Sequence, residues 1–461
     1  VDWRIARDPA LEQVVLAGTL PAVPARDHTV KVDVLGLEPG TSYYYEFRAE
    51  GRASPRGRTR TLPVGPTERI RLAFASCANL PFGYFNAYQL IARRADLDAV
   101  LHLGDYLYEY ANGVYGDGRP LGRVPEPDRE IVTLSDYRTR HAQYKRDPDL
   151  QEVHRQHPFI AVWDDHEIAD NAWRGGAANH DPSEGDWRRR RDGAVRAYLE
   201  WMPVREAFDG PTARLQRSFR FGDLADLVML DTRLYGRDAQ VERGNESLLR
   251  DPERSLLGRD QEAWLAASLR QSQREGMAWR VLGQQVMFAP LRARDGGIEN
   301  PDAWDGYPAS RERLLSSLAS DGVSDVICLT GDVHSSWAFE VPRDPYAGSP
   351  AGGGSPALAV EFTTPGITSP GRFSPPEATR RARELLTRHP HLRWVDLHQR
   401  GYALLDLDRE RAQAEWWFVE SLDERRHAET FGRAYQTRLG ESRLERSPGP
   451  SQARAAPPLA P

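Results

Sequence analysis

Cysteine is nearly absent: the 461-residue chain has two, Cys77 and Cys328. Two thiols cannot build a disulfide framework, so a hydrophobic core has to hold the fold. One bond between them, or one thiol used as a metal ligand, stays open. No apolar run approaches the length of a membrane span. Basic charge is not in excess, with 61 Lys and Arg against 67 Asp and Glu and a net charge of -6, which argues against a nucleic-acid partner. No internal repeat appears. What remains suits a globular chain with a substantial core: 40% hydrophobic and 28% charged residues, over a length that allows two or three domains.

The chain opens on "VDWRIARDPA", without Met and already strand-like, as a processed or trimmed product would. Residues 1–63 read as an all-β module. In it, "TVKVDVLGLEPGTSYYYEFRAEG" alternates apolar and polar positions around a Leu-Glu-Pro-Gly-Thr turn. This resembles a fibronectin-III/Ig-like sandwich, and its brevity leaves room for a missing N-terminal strand. "LPVGPTE" is a linker. A second domain is expected over 69–440. It begins as strand–helix–strand ("RIRLAFASC", "YFNAYQLIARRA", "LDAVLHLGD") and continues with buried strands at "FIAVWDDHE", "ADLVMLDTR", "WRVLGQQVMFAP", "SDVICLTGDVH" and "ALAVEFTTPG". Helical spacing separates them around 135–145, 187–201, 259–273 and 307–319. "YALLDLDRERAQAEWWFVE" predicts a hairpin with "DRER" at its turn. The tail, 446–461, is rich in Pro, Ala and Ser and is expected to be disordered.

The strands share a peculiarity: one after another ends on a ligand-type side chain. These are Cys77, Asp105, the run Asp164-Asp165-His166, Asp231, and Asp332 with His334. Taken singly, most have a mundane reading as turn formers, buried small residues or packed aromatics. Cys328, within "VICL", is such a buried residue, and His102 is structural. Taken together they would gather carboxylates, imidazoles and a thiol beyond the carboxyl ends of one sheet system, where α/β folds bind ligands. Carboxylates that close repel one another unless cations join them.

"FASC", "GDYLYE", "WDDHE" and "GDVHSS", in that order, resemble the PhoD-type alkaline phosphatases. These are calcineurin-like metallophosphoesterases, distantly similar to the purple acid phosphatases. The resemblance covers nearly the whole chain. It implies an α/β fold, a four-layer α/β/β/α sandwich, with ferric iron and two calcium ions at the strand ends. Asp105 would bridge two metals, Cys77, Tyr108 and His334 would complete the iron site, and Asp165 and Asp332 would hold a calcium. Asp170 and Asn171 are the candidates for a second calcium. Thiolate, phenolate and carboxylate are anionic and suit a ferric ion, while hard oxygen donors suit calcium.

The expected chemistry is metal-assisted hydroxide attack on phosphorus. His166 would contact phosphate or protonate the leaving oxygen, Arg233 would clamp phosphate or else pair with Asp231, and Trp173 and Arg174 would wall the pocket. The expected function is release of phosphate from monoesters, with diesters as a further substrate. The alternatives are a phosphodiesterase or phospholipase-D-like enzyme, and a non-catalytic, metal-stabilised secreted binding protein. The family resemblance implies a secreted, periplasmic or cell-surface location.

Overall fold

The computed structural model describes residues 1–209, 212–241, 244–347 and 355–461. At the front lies a five-stranded antiparallel sheet. Strand Asp2–Ala6 runs between Val14–Thr19 and Ser42–Ala49, and the last pairs in turn with Arg52–Ala53 and Gly57–Arg60. The Tyr43 hydroxyl accepts a hydrogen bond from the Glu38 amide at 3.0 Å, which closes the predicted turn. The alternation before that turn does not form a strand. Residues 29–37 leave the sheet, and Lys31 Nζ donates to the Val204 carbonyl at 2.8 Å while Asp33 pairs with Arg205 at 2.7 Å. Bonds to the next part of the chain replace a strand ladder.

Two seven-stranded mixed sheets follow. In the first, Arg69–Ala75, Ala99–His102 and Phe159–Ala161 are parallel, and the antiparallel run Gly401–Asp408, Arg411–Val419, Glu429–Arg438 and Glu445–Arg446 extends it. In the second, Ala225–Met229, Trp279–Gly283, Val326–Thr330 and Ala357–Thr363 are parallel, with antiparallel strands at both margins. The central strands are buried and mostly apolar because both faces are covered. Leu227, Val281 and Ile327 share a core with Leu72, Leu101 and Leu405 of the other sheet. The alternate residues Val228, Leu282 and Cys328 pack with Leu265, Leu269, Leu314 and Leu385 from the helices Arg259–Arg274, Pro308–Ser320 and Pro375–Arg388. Cys328 is therefore a core residue, and both cysteines are free thiols. Against the first sheet, the helix Asn86–Ala92 brings the Tyr88 hydroxyl to 2.8 Å from His102 Nε2. The layers are α/β/β/α.

The expected helices start where their caps dictate. Thr133 and Asp136 form a capping box ahead of Leu134–Lys145, and Asp186 caps Trp187–Trp201. Helix Pro375–Arg388 has the same signal, Ser374 with Glu377 and Pro375 between them, and no element was expected there. Strand Glu429–Arg438 was also unforeseen: its half-buried, mostly polar residues carry no clear alternation.

The expected disorder of the tail is not what the structure has. Gln156 exchanges two hydrogen bonds with the Ala460 backbone, at 2.9 and 3.0 Å. Tyr44 donates to the Pro458 carbonyl and Arg155 to that of Pro461, both at 2.7 Å. Ala460 is buried with Ala6, Leu11 and Tyr44. A proline-rich segment has few amide donors, so side chains of the folded body supply most of the bonds. Among the described residues, no helix is long and apolar enough to cross a membrane.

Candidate metal centre

Each candidate ligand sits just past the end of a parallel strand, and the backbone there is unusual. Cys77, Asp105, Asp332 and His334 all have positive φ, between 51° and 63°. Non-glycine residues avoid this region, and such strain persists only where surrounding structure enforces it. Gly104 makes one of these turns possible. Its own φ is +103°, and a Cβ there would lie 2.4 Å from the Asp164 backbone nitrogen. The ends of two neighbouring strands can touch only because that side chain is missing.

The turns converge. Ligand atoms of Cys77, Asp105 and His334 lie within 4.8 Å of one another, as do those of Asp105, Asp165 and His166, and those of Asp164, Asp165 and Asp332. Asp105 belongs to two groups, as a bridging ligand must. The Tyr108 hydroxyl lies 2.9 Å from Asp105 Oδ2 and 3.2 Å from His334 Nε2. His334 Nδ1 donates to the Pro370 carbonyl at 3.0 Å. Burial, reinforced by Arg400, holds the pKa of its imidazole down to about 3, so Nε2 is a lone pair aimed at the cluster. Asp105 Oδ1 and Asp165 Oδ1 are buried without a hydrogen-bond partner.

Two glutamates organise the centre. Glu167 accepts from the amides of Asp105 (3.0 Å), Tyr106 (2.5 Å) and Asp164 (2.8 Å), which locks both turns together. Glu109 accepts from His166 Nδ1 at 2.8 Å, from the Asp170 amide at 2.7 Å and from Asn179 Nδ2 at 2.8 Å. Burial would strip the proton from His166, but Glu109, Asp165 and Asp105 outweigh it and raise its pKa well above the usual value. His166 stacks against Tyr108 with ring centroids 4.3 Å apart.

The expectations for Arg233 need correcting. Its guanidinium is fully buried. Nε bonds to Asp164, Nη1 to both oxygens of Asp302 (2.8 and 3.0 Å) and Nη2 to Asp332 (3.0 Å), with Asp165 at 3.4 Å. Breaking such a buried pair costs about 3–5 kcal/mol. The side chain is therefore a fixed counter-charge, neither a free phosphate clamp nor the partner of Asp231, whose carboxylate accepts from the Arg233 and Leu234 amides instead. Asp302, unsignalled in its strandless loop, also accepts from Arg237 and Gln240, each at 2.6 Å. Asn171 turns its amide nitrogen to Asp302 at 2.9 Å, and its own amide donates to Asp165 at 2.6 Å. Asp170 lies beside this group, its pKa raised to about 6 by burial and by Asp165. Trp173 and Arg174 stand on the following turn. Arg174 pairs with Asp238 at 2.6 Å, and among the described residues neither side chain bonds to a cluster carboxylate.

The electrostatics suit cations. Burial, then repulsion from Asp165, Glu167 and Asp332, pushes the Asp105 carboxyl far above the usual range, against the pull of His166. Asp332 is held up to about 7, chiefly by burial. Asp165 is instead drawn down, to about 2, because Arg233 and His166 outweigh its burial. Buried, orphaned carboxylate oxygens facing a thiol and an imidazole lone pair fit a metal centre.

Facing mixed sheets with such a centre at the carboxyl ends of their parallel strands define the class: a phosphoester hydrolase of the metal-dependent, α/β/β/α kind. A family model described as PhoD-like phosphatase matches residues 72–416, and one described as its N-terminal domain matches residues 1–63. "Alkaline phosphatase D" of Bacillus subtilis (strain 168) is 38% identical over 415 residues, spanning 87% of this chain and 68% of that protein. A solved structure titled "Structure of PhoD" superposes with a TM-score of 0.87 at 34% identity, covering 98% of this chain and 85% of that one. The chain belongs to the PhoD-like phosphatase family.

Proposed function

We propose that this enzyme releases inorganic phosphate from phosphomonoesters. The observation that carries the reading is Asp105: buried, shared between two ligand groups, with one oxygen left without a partner. Cys77, Tyr108, His334 and Asp105 would hold ferric iron, since three of the four are anionic when bound. Asp165 and Asp332 would hold a calcium, and Asp170 and Asn171, beside Asp302, would contribute to a second. Bound there, the cations would supply charge to offset the phosphoryl oxygens and acidify an attacking water. The chain's own part is to orient. Glu109 fixes the His166 ring by Nδ1, which leaves Nε2 free for a phosphoryl or leaving-group oxygen. Arg233 keeps Asp164, Asp302 and Asp332 from repelling one another. Action outside the cytoplasm belongs to the same reading and rests on the family resemblance.

The test is hydrolysis of a monoester, a diester and a phospholipid in calcium, with wild type and Asp105→Asn. Monoester turnover should dominate, and it should vanish from the variant together with bound metal. Activity confined to diesters or phospholipid would make the enzyme a phosphodiesterase, and an inert, metal-loaded protein would be a binding module. Tyr108 and Cys77 bonded to ferric iron should give a visible charge-transfer band; a colourless, iron-free, fully active enzyme would remove iron from the proposal.

A further inference from the structure

The cations packed around the centre are committed. Arg233 and Arg237 are buried against carboxylates. Arg400 donates to the carbonyls of Ser369 (2.6 Å), His398 (2.7 Å) and Gln399 (3.1 Å). Arg174 is paired with Asp238. Arg372 differs: it is exposed and makes no ion pair or hydrogen bond among the described residues. It lies two residues past Pro370, whose carbonyl is 3.0 Å from His334 Nδ1.

The loop that carries it is pinned. Ser369 is held by Arg400 and also donates to the Cys77 carbonyl at 2.9 Å. The Phe373 carbonyl accepts from His398 Nδ1 at 3.3 Å. Between them, Gly371 lets the chain press onto Arg400, since a Cβ there would lie 2.4 Å from Arg400 Nη2. The backbone on both sides is fixed while the Arg372 side chain stays free. Tyr115, half-buried, also lies near His334, with its hydroxyl 3.4 Å from Nδ1 and its ring stacked on Tyr108 at 5.7 Å.

We propose that Arg372 captures the anionic ester at the mouth of this centre and favours dianionic monoesters over monoanionic diesters. A planar guanidinium suits phosphoryl oxygens. Its attraction scales with the charge of the ligand, so a threefold gain on a monoanion becomes about a tenfold gain on a dianion. This rests on the phosphatase reading above.

The experiment measures kcat and KM on a monoester and a diester, inhibition by inorganic phosphate, and metal content, for wild type, Arg372→Ala and Arg372→Lys. In the alanine variant, KM for the monoester and the inhibition constant for phosphate should rise about tenfold and KM for the diester about threefold. Metal content and kcat should hold, and lysine should restore most of the loss. Unchanged KM values, equal losses on both substrates, or joint loss of kcat and metal would overturn the proposal. A wild type inactive on both substrates would instead remove the phosphatase reading, and calorimetry of inorganic phosphate binding to the two proteins would still decide the role of Arg372.

Discussion

Glu109 is fully buried and both of its oxygens are used, one by His166 and one by the Asp170 amide and Asn179. A carboxylate can accept all three bonds, whereas a carboxamide must turn a donor toward one of them. Glu109→Gln should therefore lower kcat about 10- to 100-fold, the range seen when partners of site histidines are changed. The loss should be larger for an alkyl phosphate than for a nitrophenyl phosphate, because a poor leaving group depends more on a donor at His166 Nε2. Steady-state kinetics on both substrates, with metal content as control, checks this. Loss of metal with equal effects on the two esters would make Glu109 a structural prop.

At the scale of elements, the centre is a set of strained turns after parallel strands, and Gly104 is the most constrained of them. Alanine there would meet both an unfavourable positive φ and the Asp164 backbone at 2.4 Å. The left-handed penalty of about 1–2 kcal/mol and the overpacking penalty of about 1–3 kcal/mol together predict a loss near 3 kcal/mol. Gly449, with nothing within 4 Å of a built Cβ, is the control, and its alanine variant should be neutral. Denaturant unfolding of the two variants, alongside metal stoichiometry, would test the assignment. The same turns explain why a motif can be read before the fold is known: the candidate ligands at these turns lie within a few residues of an apolar run.

Across the whole molecule, the buried carboxylates make stability depend on pH. Asp332 and Glu167 are held up to about 7 and Asp170 to about 6, burial being the first cause for each. A carboxyl whose folded pKa exceeds its unfolded value keeps its proton longer in the native state. The contribution of these three groups to the stability of the metal-free protein is therefore lost as pH rises from about 4 to about 7, while buried histidines held low, such as His102 and His141, act in the opposite direction. Cations bound to the ionised groups would offset that loss. The melting-temperature gap between metal-loaded and chelator-stripped protein should widen from pH 5 to pH 8. A gap that stays constant or narrows would show that these carboxylates do not carry the metal linkage.

The sequence by itself determined the alternation of strands and helices, the principal helices and the run of ligand-type side chains at strand ends from Cys77 to His334, because periodicity and turns are local signals. The layered order was implied by the resemblance of its motifs to a family. The strands at 392–396 and 429–438 lack clear alternation, whereas the strand at 336–342, with Trp337, Phe339 and Val341 on one face, and the helix at 375–388, with its capping box, carry local signals that the sequence expectations did not use. Only the tertiary structure decided what each charge does. Arg233 meets Asp302 across 69 residues of chain, Glu109 meets His166 across 57, and the tail meets Gln156 across 304. Whether an arginine is a buried counter-charge, like Arg233, or exposed and unpaired among the described residues, like Arg372, depends on which distant carboxylates the fold brings within reach. No local pattern carries that information.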